Sequence, residues 1–390
     1  MMRRRVLYIP GYDPIPPRRY RELFKREGAA QAAISGYELQ TGARTDRTGF
    51  GWGASTQIGG EQSFAEFEVL VWSDIVAGSM GQSIPATYAQ LARTAWAYIG
   101  SGALWRLMRL RRGPVLAALY PVAVLLGQAI VAAITGWLIG WLVAAFATWW
   151  IGLPVALAVF VLGLQQWRRL DGRVFAYYLM HDYAFTAQNG GAYPPALEAR
   201  IDAFAERVAE AGSADWDEVL VIGHSSGSYI AVSVLARLAR AGRLPTQVSL
   251  LTLGHVVPMA SFLPGAGRLR RDLHDLAAAG QVWIDVTAPG DACSFGLCDP
   301  VAVSRCVPAG GGGPLVLSAA FTQTLSHQKQ KELRHRWFRL HFQYLCAFDR
   351  PGEYDYFQIT AGPLMLAERF ANRHHSPGRI TTPANRWHYP

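Results

Sequence analysis

The sequence predicts an α/β fold in which a mostly parallel sheet is flanked by helices and interrupted by a two-helix transmembrane insertion. Short apolar, β-branched runs alternate with amphipathic helical patterns along most of the chain, as in parallel sheets covered by helices. One stretch of 55 residues, 113–167, contains no Asp, Glu, Lys, Arg or His and divides this alternation. The other 335 residues suffice for one large soluble domain.

Before the uncharged stretch, hydrophobic periodicity predicts three strands and two helices. The strands lie at 4–9, 36–42 and 64–72, and the helices lie at 17–33 and from about residue 85. The Gly- and Thr-rich stretch 44–60 is interpreted as a loop excursion near the functional site. Together these elements form the first part of the predicted domain, residues 1–112.

After the uncharged stretch, the same reading predicts four strands and two helices. The strands lie at 217–222, 247–253, 281–287 and 314–321, and the helices lie at 195–212 and 226–238. They form the second part of the domain, residues 168–371, which should share one sheet with the first part. Residues 372–390 are predicted to be a surface tail, because they carry Pro, Arg and His.

The uncharged stretch is long enough for two spanning helices, since one span needs about 20 apolar residues. We place the spans at about 115–134 and 143–164, with a link at 135–142 in which Gly136 and Gly140 loosen the helix. A single span at 122–146 and a buried or lid-like hairpin of a soluble protein are the alternatives. One sheet built from both flanks requires an even number of crossings and therefore favours two spans.

Arginines cluster on both sides of the insertion, as on the cytoplasmic flanks of membrane spans. They are Arg106, Arg109, Arg111 and Arg112 before it, and Arg168, Arg169 and Arg173 after it. The net charge of +9 is therefore not interpreted as nucleic-acid binding. No signal peptide is expected from the first residues. The prediction is an integral protein of a bacterial inner membrane with a cytoplasmic catalytic domain.

The four cysteines are too few and too late in the chain for a disulfide framework. Cys293, Cys298 and Cys306 are not spaced like the ligands of a standard zinc knuckle. Reduced cysteines are expected, and the sequence predicts neither a metal nor a cofactor.

The most informative motif is Gly223-His224-Ser225-Ser226-Gly227, which lies between a predicted buried strand and a predicted helix. This is a G-x-S-x-G nucleophile elbow in the strand-turn-helix setting that it requires. Glycines at both ends let the strand and the helix approach each other. Ser225 is the predicted nucleophile, and the backbone N–H of Ser226 is the predicted donor to an oxyanion. His224 is expected to pack beside the nucleophile.

At this motif the chain resembles the α/β-hydrolase superfamily, specifically the lipase, esterase and thioesterase type with a GHSxG elbow. The resemblance implies an α/β-hydrolase fold and a triad in the order Ser, Asp, His. It also implies a second oxyanion donor in the turn after the first strand, where the N–H of Gly11 or Tyr12 matches. A plain strand-exit turn is the alternative, since the usual His-Gly pair is absent there.

The resemblance places the acid of the triad in a turn after a later strand. Asp291 follows the predicted strand 281–287 and occupies that place. Asp299 is the nearest competitor, and Asp285 lies within the strand itself. The acid would hold one imidazole tautomer and stabilise the imidazolium.

The base must then be a histidine beyond Asp291. His341 is preferred, because apolar neighbours would anchor it against the core. His335 lies in a charged run typical of a solvated helix face, and His327 is the third candidate.

The predicted function is a membrane-anchored serine hydrolase that cleaves acyl esters of lipid or other amphipathic substrates through an acyl-enzyme. The bilayer and the lipid or acyl-ester substrate are the predicted partners, without nucleic acid, and the oligomeric state stays open. An acyltransferase with the same triad and a catalytically silent hydrolase-like membrane scaffold are the alternatives.

Overall fold

The structure is a computed structural model that describes residues 1–45 and 48–389. Its centre is an eight-stranded sheet in the order β2-β3-β4-β1-β5-β6-β7-β8. The strands are β1 Met2–Ile9, β2 Glu38–Gly42, β3 Phe50–Ile58, β4 Glu61–Val69, β5 Glu218–His224, β6 Val248–Leu253, β7 Trp283–Thr287 and β8 Leu315–Ser318. The pairs β2–β3 and β3–β4 are antiparallel, whereas every pair from β4 to β8 is parallel.

Helices cover both faces of the sheet, as a largely parallel sheet requires. They are α1 Arg18–Ser35, α2 Ser73–Met80, α3 Ile84–Gly100, α4 Ala103–Leu110, α5 Arg112–Phe146, α6 Trp149–Arg169, α7 Asp171–Val174, α8 Ala176–Ala187, α9 Pro195–Gly212, α10 Gly227–Arg240, α11 Val257–Ser261, α12 Gly267–Ala278, α13 Pro300–Val303, α14 Phe321–Thr324, α15 His327–Leu333, α16 Trp337–His341, α17 Tyr356–Ala361 and α18 Leu366–Arg369. The helices α1 and α17 pack on one face, and α9, α10 and α12 pack on the other.

Strand β1 joins the two parts of the chain that flank the insertion. Val6 on β1 lies opposite Phe67 on β4 and opposite Leu220 on β5, and all three side chains are buried. This confirms that residues on both sides of the insertion belong to one mostly parallel α/β sheet. Both ends of the insertion therefore return to the same domain.

The interpretation of 44–60 as a loop excursion is wrong where the structure describes it, and residues 46 and 47 lie outside the described residues. Strand β3 occupies most of the stretch, and its Trp52 stacks on Phe67 at a centroid distance of 4.9 Å. A Cβ at Gly51 would lie 1.8 Å from the carbonyl oxygen of Phe67. The glycines that made the stretch look like a loop are needed because two strands approach closely.

The insertion forms two helices, α5 with 35 residues and α6 with 21, which pack against each other. Both are long and apolar enough to cross a membrane, since an 18-residue window within each has a mean hydropathy of 2.2 and 1.5, respectively. The predicted link at 135–142 is wrong, because α5 continues through it and the chain turns at residues 147 and 148. A helix of this length measures about 52 Å, which exceeds a hydrocarbon core of about 30 Å.

Close contact between the two helices explains the glycines of the mispredicted link. A Cβ at Gly140 would lie 2.6 Å from the Cβ of Ala156 and 2.7 Å from the carbonyl oxygen of Gly152. A Cβ at Gly136 would lie 2.5 Å from the carbonyl oxygen of Ala156. Small residues spaced in this way let apolar helices pack backbone to backbone. The glycines therefore stabilise the hairpin and do not break the helix.

The hairpin has a buried base and an exposed outer part. Near its start, α5 buries Val115 and Leu125 against the rest of the domain. Towards its end, apolar side chains lie on the surface, and Phe146 and Trp150 are 86% and 70% exposed. Such a continuous exposed apolar surface is characteristic of contact with lipid or with another protein.

The C-terminal tail is more ordered than a surface tail. Asn385 is buried, and its Nδ2 donates a hydrogen bond to the carbonyl oxygen of Ser261 at 2.9 Å. Ile380 forms a parallel bridge with Cys298. The prediction that 372–390 is merely surface is therefore wrong for these residues, since side-chain contacts far apart in sequence decide it.

Candidate active site

Ser225 lies at the tight turn between β5 and α10, and its φ angle is +56°. A residue other than glycine rarely adopts this left-handed backbone conformation, which costs about 1 kcal/mol or more. The flanking glycines make the turn possible. A Cβ at Gly223 would lie 2.5 Å from the carbonyl oxygen of Gly227, and a Cβ at Gly227 would lie 2.2 Å from that of Ile9.

We expect the strain at this turn to be measurable. The Ser225→Gly protein should have a free energy of unfolding about 1 kcal/mol higher than the Ser225→Ala protein, because only glycine adopts this φ without steric cost. Urea unfolding in detergent measures the difference. Ser233 lies inside α10, so the same pair of substitutions there should have the opposite order. Equal stabilities of the two Ser225 variants would contradict a strained elbow.

Asp291 and His341 form a buried pair. The Nδ1 atom of His341 lies 2.7 Å from Oδ2 of Asp291. Tyr344 donates its hydroxyl to the same oxygen at 3.0 Å, and the N–H of Cys293 donates to Oδ1 at 2.9 Å. Burial opposes ionisation of Asp291, but the His341 ring and the hydrogen bonds from Cys293 and Ser294 outweigh it and lower the pKa of the carboxyl. Asp291 is therefore an anion that can fix one tautomer of His341.

His341 ends α16 and is held from two sides. The Nε2 atom of His224 hydrogen-bonds to the carbonyl oxygen of His341 at 3.0 Å. Burial, aided by the charge of His341, lowers the pKa of His224 to about 3, so that ring is neutral and donates. Gly254, at a φ of +53°, leaves room for the ring, since its Cβ would lie 3.1 Å from Cε1 of His341. Within the described chain, the buried Nε2 of His341 has no hydrogen-bond partner.

The competing acids lie elsewhere. Asp299 caps α13 through the N–H groups of its first turn and pairs with Arg379. Asp285 accepts a hydrogen bond from Thr252 at 2.6 Å in the interior of the sheet. Asp299 and Asp285 thus make contacts within the fold, whereas Asp291 contacts His341.

The competing histidines also lie apart from the nucleophile. His327 and His335 line a surface groove beside α15, and Ser225 is not among the residues of that groove. Ser225 and His341 thus line one cavity, and Asp291 contacts His341, whereas no hydrogen bond joins Ser225 to Nε2 of His341 among the described residues.

The turn after β1 lies directly against Ser225. A Cβ at Gly11 would lie 3.0 Å from the Cβ of Ser225. The turn is fixed through its carbonyl groups, because Trp72 donates to the oxygen of Pro10 at 2.8 Å and Tyr178 donates to that of Tyr12 at 2.5 Å.

The three candidate oxyanion donors are consequently available. In residues 1–45 and 48–389, the backbone N–H groups of Gly11, Tyr12 and Ser226 donate no hydrogen bond. Free N–H groups beside a nucleophile are the feature that stabilises a developing oxyanion.

Ser225, His341 and the three candidate oxyanion donors line one cavity of about 70 Å³. Its walls come from the turn after β1, the elbow at Ser225, α8, α16 and the first turn of α5. The lining residues are Gly11, Tyr12, Asp13, Pro114, Tyr178, Leu179, Asp182, Tyr183, Thr186, His224, Ser225, Ser226, Val256, Met259, Cys293, Phe338, His341 and Phe342. A Cβ at Gly113 would lie 3.3 Å from the Cα of Ala292, the residue after Asp291. The insertion therefore begins in the wall of the candidate site.

Asp291, Cys293 and His341 also have potential metal-ligand atoms within 4.8 Å of one another. Burial and the neighbouring carboxylates raise the pKa of the Cys293 thiol well above its ordinary value. A neutral thiol is a poor metal ligand, because metals bind the thiolate. The close contact between His341 and Asp291 favours an acid–base pair at this position.

Tyr344 and Asp182 are site residues that the sequence analysis missed. Tyr344 could have been found, since it follows His341 by three residues and shares its helical turn. Asp182 carries no local signal, because α8 reaches the cavity only through tertiary packing.

Comparison of this chain with protein-family models, with curated proteins and with solved structures finds no match.

Proposed function

We propose that this protein is a membrane-anchored serine hydrolase of the α/β-hydrolase type that cleaves acyl esters. The observation that carries the proposal is Ser225 at a left-handed elbow, in one cavity with the His341 ring that Asp291 orients. Strained dihedrals persist where the surrounding structure enforces them, and they cluster at functional sites. A buried imidazole nitrogen without a partner, facing the cavity of a serine, suits a general base.

The proposed reaction uses each of these groups in turn. Ser225 Oγ attacks the ester carbonyl carbon while Nε2 of His341 takes the hydroxyl proton. The N–H groups of Ser226 and of Gly11 or Tyr12 stabilise the oxyanion. The ester C–O bond then breaks, and His341 returns the proton to the departing alcohol. Water repeats the sequence on the acyl-enzyme and releases the carboxylic acid.

The position of the insertion supports a lipid or other amphipathic substrate. Pro114, in the first turn of α5, lines the catalytic cavity, and the same helix continues into the exposed apolar hairpin. With the hairpin in a bilayer, the Arg111, Arg112 and Arg168 side chains lie at the cytoplasmic surface. The cavity then opens next to lipid, so that an ester can reach Ser225 without crossing water.

The size of the cavity sets a further requirement. About 70 Å³ accommodates an ester group, whereas sites for larger ligands measure about 300 Å³ or more. A long acyl chain therefore needs the wall to open, and Pro114 on α5 and Phe338 on α16 are two of the wall residues. Tyr120 on α5 contacts Trp337 edge to face at 5.8 Å, which couples α5 to the helix that carries His341.

A fluorophosphonate probe tests the proposal, since it reacts covalently only with an activated serine. The purified full-length protein in detergent is expected to label and to hydrolyse medium-chain acyl esters. The Ser225→Ala protein is expected to do neither, while Ser228→Ala should keep labelling, because Ser228 donates its hydroxyl to the Gly223 carbonyl away from the cavity. A folded wild-type protein that does not label would support the catalytically silent scaffold instead.

A further inference from the structure

Asp182 is a carboxylate that lines the catalytic cavity. It lies on α8 and borders the cavity together with Ser225 and His341. Asp182 takes no part in the proposed ester cleavage. A carboxylate that lines a catalytic cavity but takes no part in the reaction is a candidate for binding the substrate.

Asp182 differs from the neighbouring carboxylates in its lack of partners. Asp13 accepts hydrogen bonds from the N–H of Ile15 and from the hydroxyl of Tyr20, both at 2.9 Å. Asp291 is bonded to His341 and to other donors. In the part of the chain that the structure describes, no hydrogen bond or ion pair reaches the carboxylate of Asp182.

The surroundings of Asp182 are aromatic and poor in positive charge. Tyr12, Tyr178, Tyr183, Phe338 and Phe342 line the same cavity, and no Arg or Lys lines it among the described residues. Burial raises the pKa of Asp182 to about 7, and the nearby His341 opposes this rise. Among the described residues, no hydrogen-bond donor offsets this partial loss of water.

The Asp182 side chain is half-buried. A carboxyl that is partly removed from water without a donor costs free energy, which a ligand that donates to it recovers. Aromatic faces attract cations and tolerate hydroxyl groups. We propose that Asp182 and the aromatic wall form a subsite for a positively polarised group of the substrate, either a hydroxyl or an ammonium. This inference rests on the proposed esterase function and adds a substrate preference to it.

The polar group belongs to the alcohol part of the ester. The acyl chain of an amphipathic ester is apolar and gains nothing beside a carboxyl group. The subsite therefore selects esters whose alcohol carries a hydroxyl or a cationic group near the scissile bond, in preference to simple alkyl esters of the same acid.

Two matched pairs of laurate esters test this preference in the full-length protein. Monolauroylglycerol and propyl laurate differ in hydroxyl groups, and lauroylcholine and 3,3-dimethylbutyl laurate differ in positive charge. We expect wild type to favour the polar member of at least one pair by about tenfold or more in kcat/KM, the effect of one charged hydrogen bond. In Asp182→Leu this ratio should fall towards one.

Two further variants identify the group and control for folding. Asp182→Asn keeps an acceptor oxygen but loses the charge, so it should retain a preference for hydroxyl groups and lose one for ammonium. Asp215→Leu alters an exposed aspartate outside the cavity and should keep the wild-type ratios.

The inference is overturned if wild type shows no preference in either pair. It is also overturned if Asp182→Leu lowers kcat/KM equally for all four esters, since that indicates action through His341 or on folding. Fluorophosphonate labelling separates these results from a failure of the esterase proposal. A wild type that neither labels nor hydrolyses any ester contradicts both.

Discussion

Replacing Asp291 with Asn is expected to lower kcat for an acyl ester by about ten-thousand-fold. The amide carries no charge and can donate its N–H to Nδ1, so His341 can adopt the wrong tautomer and the imidazolium loses its counter-charge. The 2.7 Å contact between these two side chains is the structural basis of the expectation. Steady-state hydrolysis of a soluble chromogenic ester measures the effect.

Asp299→Asn is the matched control, because it makes the same chemical change in a buried aspartate after the same strand. Asp299 caps α13 and pairs with Arg379, so its variant should lose stability while kcat changes by less than about tenfold. A large loss of kcat in the Asp299 variant with little loss in the Asp291 variant would contradict the assignment of the acid.

Replacing Gly140 with Leu is expected to destabilise the hairpin by about 3 kcal/mol or more. Even a Cβ at this position would lie 2.6 Å from Ala156 and 2.7 Å from the backbone oxygen of Gly152, so the two helices must separate. Thermal unfolding in detergent, followed by tryptophan fluorescence, should show a transition several degrees lower than that of wild type.

Gly127 provides the comparison within the same helix. A Cβ there would meet no atom within 4 Å among the described residues, so Gly127→Leu should leave the transition unchanged or raise it slightly. Both variants and wild type should stay with membranes after carbonate extraction. Release of wild type into the supernatant would show that the hairpin does not span a bilayer, and equal transitions in the two variants would contradict the close helix packing.

Local sequence patterns were sufficient for the elements whose signals do not depend on distant residues. Buried strands such as β5 and β6 are continuous apolar runs, and the elbow follows from five consecutive residues. The uncharged insertion was equally visible, because a run of 55 residues without charge has few structural explanations. These features identified Ser225 and the mostly parallel sheet.

The predictions for β3 and for the turn of the hairpin were wrong because glycine occurs in loops and also where two backbones approach closely. In β3 and in α5, glycines that normally mark loops are present because another backbone lies within about 3 Å of where a Cβ would be. A single sequence records the small residue but not the neighbour that requires it. The turn of the hairpin and the third strand could therefore be found only with the tertiary structure.

The sequence by itself determined the strand-turn-helix elbow at Ser225, the alternation of strands and helices, and the uncharged apolar hairpin. The tertiary structure decided which acid and which histidine meet, since Asp291 reaches His341 and Tyr344 only through packing after β7 and β8. It alone brought Asp182 and the first turn of α5 to the same cavity. The physical reason is that hydrophobic periodicity reports local conformation, whereas distances between remote side chains depend on how the elements pack.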